Sequence, residues 1–187
     1  MPKDSFARMK QRLLTILKEY SLKHKKIVLS SGKTSNFYLD VRLCSLRSEG
    51  AYLIAAIFLE MIKGEGITAV GGLTMGADPI VGAIAGLSFV QGIAINGFIV
   101  RKQEKKYGLQ KLIEGPGLNA ESRVLIVDDV VTTGLSTVKA IQAVEKTQAK
   151  IVRVIAVVNR LEGAIDNIAK CGFKLESIFT LKDFGRI

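Results

Sequence analysis

The chain is short of the residues that build most metal centres and nucleophilic triads, with two cysteines and one histidine in 187 residues. Cys44 and Cys171 lie far apart and make no metal-ligand spacing, so the expectation is a pair of reduced thiols in a cytoplasmic protein. His24 sits among lysines, without the strand–turn partners a Ser-His-Asp hydrolase needs, and no Gly-x-Ser-x-Gly occurs. Hydrolysis of that type is excluded. No apolar run reaches membrane-spanning length unbroken; residues 80–100 come nearest, and Gly82, Gly86, Gln91, Gly92, Asn96 and Gly97 interrupt them. A signal-peptide core is also missing, because Lys10, Arg12, Lys18 and Glu19 divide the apolar positions of the amino terminus. Internal repeats and low-complexity segments are absent. Acids are the minority charge, 17 against 27 lysines and arginines, for a net charge of +10.

Nearly half the residues are apolar, enough at this length for one domain with a real core, spanning 1–187. The basic residues gather in two places, the first 26 residues and the segment 101–111. One explanation is nucleic acid, whose phosphates dominate such affinity. The other is an anionic small substrate drawn to a basic site, which already accounts for 101–111. The amino-terminal lysines then read as the solvated face of a helix, and no nucleic-acid partner is called for.

That first helix is capped by Asp4 or Ser5 and returns Phe6, Met9, Leu13, Leu17 and Tyr20 on one face. Short strands are expected at 26–30 and 37–42, separated by the turn-rich 31–36, then a helix over 48–63. From there strands at 67–71, 98–101, 123–128, 151–158 and 174–181 alternate with helices at 78–89, 136–146 and 164–171. The segment 102–117 is polar, with no amphipathic period. This alternation predicts an α/β fold, a mostly parallel central sheet flanked by helices.

The most informative stretch is 124–136, Val-Leu-Ile-Val-Asp-Asp-Val-Val-Thr-Thr-Gly-Leu-Ser. Four β-prone apolar residues predict a buried strand ending at Asp128, with both acids at the carboxyl end of a parallel sheet, where open α/β folds bind ligands. The turn of Thr132, Thr133, Gly134 and Ser136 precedes a helix, so its N–H groups suit a phosphate. Acids beside an anion site fit a sugar phosphate, with carboxylates on ribose hydroxyls and the turn on the 5′-phosphate. A Mg²⁺ site or a polar strand end remain the alternatives for the acids alone. Two other glycine patterns carry nothing. Gly32-Lys33-Thr34 lacks the first P-loop glycine, that position being Ile27, and 115–120 precedes its strand with no helix after it.

Taken whole, 124–136 resembles the phosphoribosyl-diphosphate (PRPP) motif of type I phosphoribosyltransferases. The segment Arg101-Lys102-Gln103-Glu104-Lys105-Lys106-Tyr107-Gly108, continuing to Gly115, resembles the mobile catalytic loop of orotate phosphoribosyltransferases. Residues 31–40, Ser-Gly-Lys-Thr-Ser-Asn-Phe-Tyr-Leu-Asp, are similar to that family's amino-terminal hood, and Asn159-Arg160 looks like its arginine for the orotate carboxylate.

The resemblance implies a type I phosphoribosyltransferase fold, with 1–45 as hood segment and first helix and 46–187 as core carrying the mobile loop 102–117. It implies transfer of the phosphoribosyl group from PRPP to orotate. PRPP would be held by Arg101, Lys102, Lys105, Tyr107 and the run Asp128, Asp129, Val130, Val131, Thr132, Thr133, Gly134, Leu135 and Ser136. Lys105, Asp128 and Asp129 would act in catalysis, and Thr132, Arg160, Phe37 and Tyr38 would bind orotate. Mg²⁺ is the implied cofactor, held mainly through PRPP, and a homodimer sharing the loop is the implied assembly. Two departures concern PRPP: Ser30 and Gly76 stand where some relatives carry lysines. A purine phosphoribosyltransferase and an RNA-binding regulator on the same fold are the competing readings.

Overall fold

The computed structural model describes residues 5–28, 34–103 and 112–185. Helix α1 (Phe6–Ile16) starts at Ser5, whose hydroxyl accepts the Arg8 N–H, and runs on through one wider turn over Leu17–Ser21. Strands β1 (Leu22–Val28) and β2 (Thr34–Leu39) form a separate antiparallel pair. A short helix α2 (Arg42–Ser45) leads into α3 (Ser48–Met61). The rest alternates as the sequence predicts: β3 (Ala69–Leu73), α4 (Asp78–Val90), β4 (Asn96–Val100), β5 (Ile113–Glu114), β6 (Arg123–Val131), α5 (Leu135–Glu145), β7 (Lys150–Asn159), α6 (Ala164–Ala169) and β8 (Leu175–Thr180).

These strands make one sheet in the order β5-β4-β3-β6-β7-β8, parallel except for β5 at the edge. Side chains alternate across β6. Leu125 and Val127 join the core under α1, α3 and α4, while Val124 and Ile126 join the core under α5 and α6. Both faces are therefore covered, which is why the strands are nearly continuous in apolar residues. The chain leaves β3 toward β4 on one side and returns through β6 on the other, so the order reverses between β3 and β6. Open α/β sheets bind ligands outside the carboxyl ends of strands at such a reversal. Among the described residues no helix is long and apolar enough to cross a membrane.

Four sequence expectations need correction. The strand expected at 37–42 stops at Leu39, because the Asp40 carboxylate captures the Arg42 N–H at 3.1 Å and starts α2. β6 does not end at Asp128 but continues to Val131, since β7 keeps pairing with it as far as Val131 and Asn159. The segment 102–117 contains β5, whose Ile113 pairs with Val100 and whose Glu114 pairs with Ile99. The strand expected at 26–30 begins earlier, at Leu22.

Candidate active site

β3 pairs with β6 only through Gly71 and Ile126, then the two strands part. In the opening lies a cavity of about 240 Å³, lined by Tyr38 to Asp40 and Arg42 from β2 and α2, Leu73 to Gly76 after β3, Lys102 after β4, and Asp128, Asp129, Val130 and Ser136. The acids border this space from opposite faces of β6, as successive strand residues must. Asp128 is turned to α5 and is 6% exposed, its Oδ2 accepting from the Thr137 hydroxyl at 2.7 Å and its Oδ1 from the Asp129 N–H at 3.0 Å. Asp129 faces the other way, its Oδ1 accepting the Val130 N–H at 2.7 Å.

Burial pushes the Asp128 carboxyl well above the usual carboxylate range, and the neighbouring Asp129 charge pushes it further; the Thr137 hydroxyl opposes both. Asp129 is raised too, again chiefly by burial, against the Val130 N–H and the positive charge of Arg42. The pair thus holds protons more tightly than free aspartates.

Segment 73–77 approaches Asp129 so closely that a Cβ on Gly76 would stand 2.7 Å from the Asp129 Cγ. A lysine at this position has no room while Asp129 stays where it is. Instead the loop offers its backbone and the Thr74 hydroxyl, which donates to Asp78 Oδ2 at 2.7 Å.

The turn after β6 has the form its sequence predicts. Gly134, at φ 78°, leads into α5 with no side chain capping the helix, so the first N–H groups of α5 remain open to an anion. Asn167 on α6 fixes the turn from behind, its Nδ2 donating to the Thr133 carbonyl at 2.9 Å. Ser136 reaches the cavity; Val131 is buried in the core on the α5 side.

Arg160 follows β7 and is a buried residue rather than a surface or capping one. Its N–H donates to the Val131 carbonyl at 2.9 Å, its Nε to Glu162 Oε1 at 2.8 Å, and its guanidinium lies 4.8 Å from the centre of the Phe37 ring. The structure brings Arg160 together with Phe37, on the β7 side of the cavity and not on its wall. Tyr38 is on the wall, its hydroxyl donating to Asp40 Oδ2 at 3.3 Å. Lys102 borders the main cavity and a second one of about 620 Å³, which Arg101 also lines. Arg101 pairs with Glu114 at 3.3 Å. Lys105 and Tyr107 lie outside the described residues, as do Ser30 and the Ser31-Gly32 turn.

Sequence reasoning missed Thr137 and the Asp40–Arg42 pair. The Asp-x-Arg spacing was the available signal for the pair, since a side-chain acceptor two residues ahead of an N–H favours a turn over a strand. Nothing local announces Thr137.

Known proteins extend the comparison beyond the motif. Residues 49–185 match the phosphoribosyl transferase domain. The orotate phosphoribosyltransferase of Aquifex aeolicus is 41% identical over 177 residues, covering 93% of this chain and 96% of that one. Among solved structures, the orotate phosphoribosyltransferase of Mycobacterium tuberculosis H37Rv with Fe(III) dicitrate superposes with a TM-score of 0.83 at 35% identity, over 95% of this chain and 99% of its own. The same enzyme in complex with PRPP gives 0.79 at 32% identity, with the same coverage. Similarity that runs the length of both partners, and not through the thirteen-residue motif alone, makes this chain a member of the orotate phosphoribosyltransferase family.

Proposed function

We propose that the chain transfers the 5-phosphoribosyl group of PRPP to orotate, giving orotidine 5′-monophosphate and pyrophosphate in pyrimidine (UMP) biosynthesis. The observation that carries this reading is the placement of Asp128 and Asp129 beside an uncapped helix start, in a cavity at the reversal point of the sheet. Open N–H groups of α5 receive the 5′-phosphate, and the acids receive the ribose hydroxyls. Phe37 and Arg160 lie on the acceptor side, where a planar guanidinium pairs with a carboxylate through two parallel hydrogen bonds. To do so Arg160 exchanges or shares Glu162, its present partner.

In the reaction a ring nitrogen of orotate, giving up its proton to solvent, bonds to the anomeric carbon as the bond to pyrophosphate breaks. Positive charge develops on the ribose and negative charge on the leaving group. Asp128 and Asp129, if ionised when PRPP binds, sit on the ribose side of that separation, and Lys102 and Lys105 serve the diphosphate. Thr132 supplies a hydroxyl to the pyrimidine edge.

The residues present suit Mg²⁺ carried in on the substrate. Among the described residues no three histidine, cysteine or acidic side chains gather as a metal cage, while the acids at the cavity offer oxygen to a hard cation that keeps few protein ligands. When bound, Mg²⁺ neutralises charge on the pyrophosphate. The loop 102–117, whose stems are tied by the pairing of β4 with β5, closes over the cleft of the partner subunit in a cytoplasmic homodimer and excludes water from the activated sugar.

Consumption of orotate, followed spectrophotometrically with PRPP and Mg²⁺ beside adenine, hypoxanthine, xanthine and uracil, tests the assignment. Turnover of orotate alone is expected; preference for a purine would overturn it.

A further inference from the structure

Two cations border the main cavity among the described residues, Lys102 and Arg42, against three carboxylates, Asp40, Asp128 and Asp129. A diphosphate ester entering such a space needs cations fixed where its own charge lies. Segment 73–77 carries no basic residue, and Gly76 stands too close to Asp129 for a longer side chain.

Arg42 is held, not free. Its Nε and Nη2 each lie 2.9 Å from an Asp40 oxygen, and Asp40 in turn accepts the Arg42 N–H and the Tyr38 hydroxyl. The Asp40 N–H donates to the Ser21 carbonyl at 3.0 Å, which ties the pair to the end of the first helix. A guanidinium gripped along one edge keeps the hydrogens of Nη1 for another acceptor. The Arg42 side chain is 40% exposed, and its charge is felt at Asp129.

Position decides which acceptor that is. The 5′-phosphate has its seat at the α5 turn, and Phe37 with Arg160 marks the acceptor on the β7 side. The wall that Arg42 shares with Gly76 and Lys102 lies across Asp129, toward β3 and β4, and α2 packs against α3 and α4. A group displaced from the anomeric carbon departs on the side opposite the entering base. We infer that Arg42, oriented by Asp40 and Tyr38, binds the diphosphate of PRPP and the pyrophosphate it becomes. This rests on phosphoribosyl transfer as the activity of the site.

The test is direct binding of inorganic pyrophosphate, with Mg²⁺, to the full-length protein, set beside steady-state kinetics. Arg42→Gln should weaken pyrophosphate binding about tenfold or more and raise the PRPP KM by a similar factor, leaving the orotate KM nearly unchanged. Arg42→Lys should recover part of the loss. Asp40→Asn, which keeps the guanidinium but loosens its grip, should weaken pyrophosphate binding by a smaller factor. Unchanged pyrophosphate affinity in Arg42→Gln would overturn the inference, as would a rise confined to the orotate KM. Equal losses for both substrates, tracking a fall in melting temperature, would make Arg42 a structural residue only. A wild-type protein that binds pyrophosphate yet makes no orotidine 5′-monophosphate would sink the assigned activity, while the binding comparison would still decide the role of Arg42.

Discussion

Substituting Asp128 by asparagine should pull stability and catalysis in opposite directions. The carboxyl is buried, receives one hydroxyl and one N–H, and stands beside a second acid. An aspartate in an unfolded chain titrates near 3.9. Here burial first, and Asp129 second, raise it to about 7. The folded state therefore binds the proton more tightly than the unfolded state. The contribution of Asp128 to stability therefore falls as pH climbs from about 4 through 7. A tenfold change in acidity corresponds to about 1.4 kcal/mol, so ionised Asp128 burdens the fold by something on the order of 2–4 kcal/mol. Asparagine removes the charge and retains groups able to meet Thr137 and the Asp129 N–H. Denaturant melts at pH 8 should show Asp128→Asn more stable than wild type, by about 5–10 °C in a matching thermal scan. At pH 4, where both side chains are neutral, the difference should vanish. Meanwhile kcat/KM for PRPP should fall by a factor corresponding to roughly 1.5–3 kcal/mol, the worth of one charge-assisted hydrogen bond to ribose. A variant less stable than wild type at pH 8 but equal to it at pH 4 would refute the burial argument. Unaltered PRPP kinetics would refute the ribose assignment.

Gly134→Ala places a Cβ at φ 78° and 3.2 Å from the Ala164 Cα, and should cost about 1–3 kcal/mol in a denaturant melt; no loss would show that the turn relaxes away from α6. Arg160→Ala should raise the orotate KM by a factor equivalent to roughly 2–5 kcal/mol while PRPP binding holds. If that variant still prefers orotate to uracil as wild type does, the carboxylate is read elsewhere. Lys105→Ala should lower kcat more than it raises KM, and subunits carrying it, mixed with subunits disabled at Asp128 and Asp129, should regain partial activity. Absence of complementation despite proven subunit exchange would show that each loop serves its own subunit.

The features legible in the sequence are those whose chemistry is local. The run 124–136 contains its own strand, acids, turn and helix start, and α1 announces itself through Ser5 and the spacing of Leu13 and Leu17. What the sequence hid depends on partners distant along the chain. β6 outruns Asp128 because β7 supplies hydrogen bonds up to Asn159, which no local propensity records. Asp128 is held by Thr137, nine residues on, only because α5 folds back across that face. β5 has two residues, too few for any period to show, and exists because the exposed edge of β4 accepts it. Arg42 reads as the end of a strand until Asp40 is seen to take both its N–H and its guanidinium.

The ladder between β6 and β7 carries a further consequence. β7 holds one extra residue between the pairs Val124–Ile151 and Leu125–Arg153, and from there the count is unbroken to Val131–Asn159. That irregularity lies at the amino end of both strands, far from the site, where it takes up one surplus residue, and past it the ladder leaves no further slack. Because side chains alternate faces, deleting a single residue beyond it, between Val154 and Val158, would turn the end of β7 over and carry Arg160 away from Phe37. The acids of β6 and Arg160 thus share one reading frame. Evolution is free to exchange apolar side chains along β7, and to lengthen the turn before it, but an insertion or deletion within the strand would uncouple the two halves of the site at once.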